Sequence, residues 1–130
     1  MDLSAKSLGT AFGAVYLAVG VIGFALTGFG GFFATQGDTL LFFEINPAHN
    51  VVHILVGAVL LSAAAAGERL ARQTWILIGS VYALVGVVGF ALIGTQANVL
   101  ALNAADNLLH LVTAAVALFA VVYSRRTSAV

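Results

Sequence analysis

"VYLAVGVIGFALTG", residues 15–28, returns as "VYALVGVVGFALIG" at 81–94, identical at ten of fourteen positions with an offset of 66. Neither copy carries a charge, and each lies in a longer apolar run of the roughly 20 residues needed to cross a bilayer as a helix. A second motif follows each copy. "NPAHNVVHIL" at 46–55 is echoed by "NAADNLLHLV" at 103–112, with Asn46, Asn50 and His53 answering to Asn103, Asn107 and His110 at an offset of 57. The difference of nine residues lies in the intervening loop, longer in the first copy, which shares Thr35-Gln36 with Thr95-Gln96. The repeated unit is therefore a two-helix hairpin. Because each unit crosses twice, both halves keep one orientation, and a pseudo-two-fold axis along the membrane normal is expected to relate them.

Composition points the same way. With 62% hydrophobic and 8% charged side chains in 130 residues, the chain lacks the polar surface that a soluble domain of this length requires. It reads as an integral membrane protein whose first partner is the lipid bilayer. The formal net charge is zero and no basic arm or patch is visible, so nucleic acid is not an expected partner. The absence of cysteine removes disulfides, thiolate metal sites, iron–sulfur clusters and thiol redox chemistry together. Any site must be built from His, Asn, Asp, Glu or Tyr.

Four stretches, about 8–33, 47–66, 74–94 and 104–123, are long and apolar enough to span. The expected fold is all-α: an integral membrane four-helix up-down bundle built from a duplicated two-helix hairpin, one membrane domain over 1–130 with halves of about 8–66 and 74–123. Asn46 is placed to cap a helix that starts at Pro47, and Asn103 to cap the last, with Asp106 in its first turn. A polar "GERLARQT" linker, 67–74, follows the second span. Lys6, Arg69, Arg72, Arg125 and Arg126 fall on the two tails and this linker, which puts both termini in the cytoplasm.

The other two loops, "ATQGDTLLFFEIN" and "TQANVLALN", hold Asp38 and Glu44 but no Lys or Arg, and are expected to face outward. Leu40, Leu41, Phe42 and Phe43 are too short a run to span and are expected to rest at the membrane surface over the bundle. Lys6 before an apolar run has the look of a signal peptide, yet a segment that recurs internally is not expected to be cleaved. Trp75 and Tyr123 lie where interfacial anchors belong. Gly9 and Gly13 form a GxxxG step that suits either self-association, as a homo-oligomer or within a larger membrane complex, or the bundle itself.

The Asn-x-x-x-Asn-x-x-His pattern opening the second span, its echo opening the fourth, and the Tyr and Gly pattern of the odd spans resemble a family of small bacterial four-span membrane proteins, domain of unknown function 4383. The resemblance covers nearly the whole chain. It implies four helices in a bacterial inner membrane and assigns no activity. Where the first copy has His49 the second has Asp106, so any site is asymmetric.

At 100° per residue, Asn46, His49, Asn50 and His53 fall within an arc of about 100°, as do Asn103, Asp106, Asn107 and His110. In an up-down bundle the second and fourth spans are parallel and diagonal, so these polar faces are expected to meet at the centre, away from lipid. His53 and His110 are each the seventh residue of their spans, roughly 10 Å below the outer boundary. Gly20 and Gly23, with their copies Gly86 and Gly89, come within about a turn of that level on the odd spans and are expected to lie opposite the imidazoles. Tyr16 and Tyr82 share the face of those glycines and read as packed aromatics with bonded hydroxyls.

Several chemistries fit. Glycines and buried amides can simply mesh helices and fix their register. His53 and His110 at matched depth suit the axial ligation of haem b, or singly a chlorophyll-type tetrapyrrole, with Asn50, Asn107 and the four glycines around the macrocycle. Such a haem protein would pass electrons to or from a quinone. His49 and His53 at i, i+4, with Asp106 and His110 across the axis, suit a divalent transition metal. Without a cofactor, His49 and Asp106 can pair at the outer mouth with His53 and His110 titrating behind them. No Ser, His and acid set, phosphate loop or glycosidase-like carboxylate pair is legible, so a binding or accessory subunit is expected ahead of an enzyme.

Overall fold

The computed structural model describes residues 3–127, with side chains through Ser124. Four helices run in order, α1 (Ala5–Thr27), α2 (Pro47–Ala66), α3 (Glu68–Leu92) and α4 (Ala104–Thr127), with two short strands, β1 (Asp38–Leu40) and β2 (Phe43–Ile45), between α1 and α2. All four helices are long and apolar enough to cross a membrane. Large apolar side chains, Leu55, Leu77, Leu84 and Leu118 among them, point outward, while the Asn, His and Asp residues of α2 and α4 are buried. That inversion is what a lipid solvent selects.

Local chemistry sets most helix limits. Ser4 caps α1 by accepting from the Ser7 amide at 3.2 Å. Asn46 caps α2 by accepting from the His49 amide at 2.8 Å, and Pro47 occupies the first turn, where its missing N–H is no loss. The helix α1 stops at Gly28, short of the expected residue 33, because Gly28 and Gly31 take positive φ.

The expected 67–74 linker is reduced to one residue. Gly67, at φ 120°, is the cap of both α2 and α3. Glu, Arg, Leu and Ala are good helix formers, so "ERLAR" continues α3 past the apolar segment. Glu68 then reaches across the bundle. Its carboxylate accepts from the amides of Ala5 and Lys6, both at 2.9 Å, and serves the open N-terminus of α1.

The all-α bundle carries one small addition at the other end. β1 and β2 pair antiparallel with Asp38 opposite Ile45, Thr39 opposite Glu44 and Leu40 opposite Phe43. The Thr, Leu, Phe and Ile of this loop favour extended chain, and Leu41 at φ 60° closes the turn. The hairpin lies against the ends of α1 and α4, and its tip residues Leu41 and Phe42 are exposed.

Packing is tightest within each pair, α1 on α2 and α3 on α4. Gly57 of α2 lets the backbones of that pair close, since a Cβ there would sit 2.6 Å from the amide nitrogen of Leu17. Gly9 and Gly13 face α2 and are used inside the bundle. Trp75 is no interfacial anchor. It is fully buried, its Nε1 donates to the Ala5 carbonyl at 3.0 Å, and it meets Phe12 edge-on. Tyr123 stacks on Phe119 and is only partly buried. The side chains of Arg125 and Arg126 lie outside the described residues.

Candidate functional site: a ring cluster in the bundle core

The inward faces of α2 and α4 bury His49, Asn50, His53, Asp106, Asn107, His110 and Thr113, none more than 7% exposed. From α1 and α3, Tyr16 and Tyr82 enter the same layer. The rings form a closed circuit. His53 stacks on His49 with centroids 4.6 Å apart, His49 faces His110 at 6.3 Å, His110 meets Tyr82 edge-on at 4.9 Å, Tyr82 meets Tyr16 edge-on at 5.8 Å, and Tyr16 stacks back on His53 at 5.1 Å. Five rings from four helices thus share one compartment. The Tyr16 hydroxyl and Thr113 Oγ1 share a hydrogen bond of 2.9 Å at its lower edge.

The expected meeting of the two polar faces at the bundle centre is seen in the His49–His110 contact. The expected position of the glycines is not. Gly20 abuts the backbone of Asn50 and Ile54, Gly86 abuts Leu111 and the Asn107 carbonyl, and Gly23 and Gly89 abut the Asn50 and Asn107 side chains. Their missing Cβ atoms make way for partner helices and amides, so no slot opens beside the imidazoles on their account. Only a glycine admits an amide at that depth: a Cβ on Gly23 would overlap Asn50 Oδ1.

Nor is the His49, His53, Asp106 and His110 set gathered around a common point. Among the described residues no group of three or more His, Asp or Glu is arranged to hold a metal ion. His49 and His53 stack with planes 25° apart, an arrangement that sets nitrogens side by side instead of converging them. Asp106 has other work. Its Oδ2 accepts from the amides of Asn103 at 3.0 Å and Glu44 at 3.3 Å, while Asn103 Oδ1 accepts from the Asp106 amide, a capping box that also tethers β2. The expected pairing of His49 with Asp106 is therefore replaced by helix capping.

Asn46 and Asn103 do more than cap. Asn46 Nδ2 donates to the carbonyls of Ala34 and Val99, both at 2.8 Å, and Asn103 Nδ2 donates to that of Phe42 at 2.9 Å. The two loops at this end are thereby fastened to α2 and α4. Asn98, which carries no motif, clamps Leu102 through both amide atoms and steadies the positive φ of Ala101.

The amide pair is unequal. Asn50 Nδ2 donates to Thr27 Oγ1 at 2.9 Å, whereas Asn107 faces no such hydroxyl, because the position matching Thr27 is Ile93. Thr27 and Thr113 are the contributors that sequence reasoning missed. The signal was present in the mismatches between the copies, Thr27 against Ile93 and Thr113 against Val56.

A cleft of about 310 Å³ runs between α1 and α4 under the β hairpin, and Tyr16, His53, Asp106 and Thr113 reach it. A family model described as domain of unknown function (DUF4383) matches residues 6–123. The chain belongs to that family. The DUF4383 match takes in the whole ring cluster, both asparagine caps and the hairpin. No curated protein and no solved structure matches the chain.

Proposed function

We propose that this DUF4383 chain is a small integral membrane binding or accessory protein, set in the bacterial inner membrane with both termini cytoplasmic, whose ring-lined core receives a small ligand beneath the outer face. One observation carries the reading. Among the described residues, six buried side-chain atoms lack a hydrogen-bond partner: Nδ1 of His49, His53 and His110, Oδ1 of Asn50, and both amide atoms of Asn107. All belong to this layer. Leaving one such group unpaired costs about 1–3 kcal/mol, so helix meshing alone does not select a layer of them. The orientation rests on Lys6, Arg69 and Arg72, which share the end of the bundle opposite the hairpin.

Native mass spectrometry, an absorption spectrum and elemental analysis of gently extracted protein test this together. The expected result is colourless protein that retains a small organic mass, lost when His49 and His110 are both changed to Phe. A Soret band that disappears in His53→Ala and in His110→Ala would replace the reading with a haem electron-transfer protein acting on quinone. A stoichiometric transition metal would replace it with a metal site. Bare protein, equally stable after the double change, would reduce the layer to packing.

A further inference from the structure

The cleft between α1 and α4 reaches the ring cluster from the side. Along its α1 wall, Phe12 to Ile22 covers roughly 15 Å of helix rise, and its volume of about 310 Å³ is at the small end for ligand sites. That shape admits one hydrocarbon chain. The walls are aliphatic and aromatic, and Leu40, Leu41 and Phe43 of the hairpin form the roof. Polar groups interrupt them in order of depth: Asp106 at the start of α4, then His53, then the Tyr16–Thr113 pair. His53 lines the cleft although it is 93% buried, and its Nδ1, enclosed by the bundle, has no partner.

Charge narrows the occupant. No Lys or Arg lines the cleft, and its one ionisable acid is Asp106. A phosphate or carboxylate head would meet a carboxylate and no cation in a medium that screens poorly. A two-chain phospholipid needs more room than the cleft has. An uncharged head with a hydroxyl or carbonyl can hydrogen-bond the imidazole at no charge penalty, and its single chain can follow Val15, Val19 and Ile22 toward the bilayer.

We infer that the α1/α4 cleft seats an uncharged single-chain lipid whose hydroxyl or carbonyl head is held at His53. This rests on the binding reading of the core and adds the ligand class and its entrance.

The test uses the full chain in phosphatidylcholine vesicles and two diazirine probes of equal chain length, a long-chain alcohol and its phosphate monoester. The alcohol is expected to label the chain saturably at 15–22 of α1 and 109–113 of α4, with competition by unlabelled alcohol. Labelling falls about tenfold in His53→Leu, the loss expected when a buried hydrogen bond to the head is removed. Val19→Trp, which fills the mouth without touching the ring circuit, gives a like loss and covers the case in which His53→Leu does not fold. Equal labelling by both probes, or labelling spread over every lipid-facing helix, overturns the inference and leaves annular lipid only. Saturable labelling confined instead to a second groove, lined by Leu84 and Val88 of α3 and the 97–102 loop, overturns the cleft but keeps a binding protein. No saturable labelling, with no small mass retained in the native spectra, removes both.

Discussion

The first hairpin, α1 with α2, and the second, α3 with α4, carry one motif in unequal surroundings. In the first, Asn50 has a hydroxyl to bond, Gly57 brings the helices to backbone contact, and a β hairpin roofs the end. In the second, Asn107 faces no donor or acceptor, Ala114 replaces that glycine, and Asp106 replaces an imidazole to fasten the other hairpin's roof. Positions the copies share set the backbone: caps, close-packing glycines, ring sites. Positions where they differ decide which polar groups are satisfied, and so where the chemistry lies.

The comparison can be broken most violently at the helix contact. Gly57→Val drives a branched side chain into the backbone of α1, and a loss of about 3 kcal/mol is expected, the upper end for overpacking. Ala114→Val, in the copy that already holds a methyl, is expected to lose less than half as much. Unfolding of detergent-solubilised protein by sodium dodecyl sulfate, followed by helicity, measures both. Equal losses would mean the pairs are packed alike.

Next in size is the roof. Asp106→Ala removes the capping box and the tether to Glu44, with an expected loss of about 1–2 kcal/mol. Limited proteolysis should then cut the 38–45 segment faster, while cleavage after His110→Ala, at a ring that does not touch the hairpin, stays at the parent rate. A roof equally protected in both variants would show that Asp106 does not hold it.

The amides offer a contrast of sign. Asn50→Leu abandons Thr27 and is expected to lose about 1 kcal/mol, whereas Asn107→Leu relieves two unpaired atoms and is expected to gain about that much in ligand-free protein. A loss in both would require a partner for Asn107. The smallest change sharpens the same point: Ile93→Thr supplies the hydroxyl the second copy lacks, and a gain of about 0.6 kcal/mol is expected, the usual worth of a hydrogen bond in a bilayer. If Ile93→Thr destabilises, the two amide sites are not geometrically equivalent.

Legibility followed the range of the interactions involved. The helix α2 was readable to the residue because Asn46, Pro47 and Gly67 are local signals. The early stop of α1 was not, since three glycines in a still-apolar run could be read as spanning residues. "GERLARQT" was misread because polarity marked where the chain leaves lipid, while helix propensity carried α3 beyond that point. Trp75 was assigned to the interface by its depth, but its Nε1 found the Ala5 carbonyl 70 residues away in sequence. Within the site, the inward faces of α2 and α4 were evident from spacing. Which ring touches which was not, and the glycines facing the amides instead of the imidazoles was not either.

Alone, the order of residues determined that the chain holds four helices long and apolar enough to cross a membrane, where its even helices begin, and which side of each turns inward, because hydrophobic spacing and caps act within a turn or two. Only the tertiary structure decided that five rings close into a circuit, that Asp106 serves a roof and not an imidazole, and that Asn107 is left without a partner. Those outcomes depend on helix rotation and depth. They are fixed by glycine contacts between segments far apart in the chain, where a shift of about 100° per residue exchanges one neighbour for another.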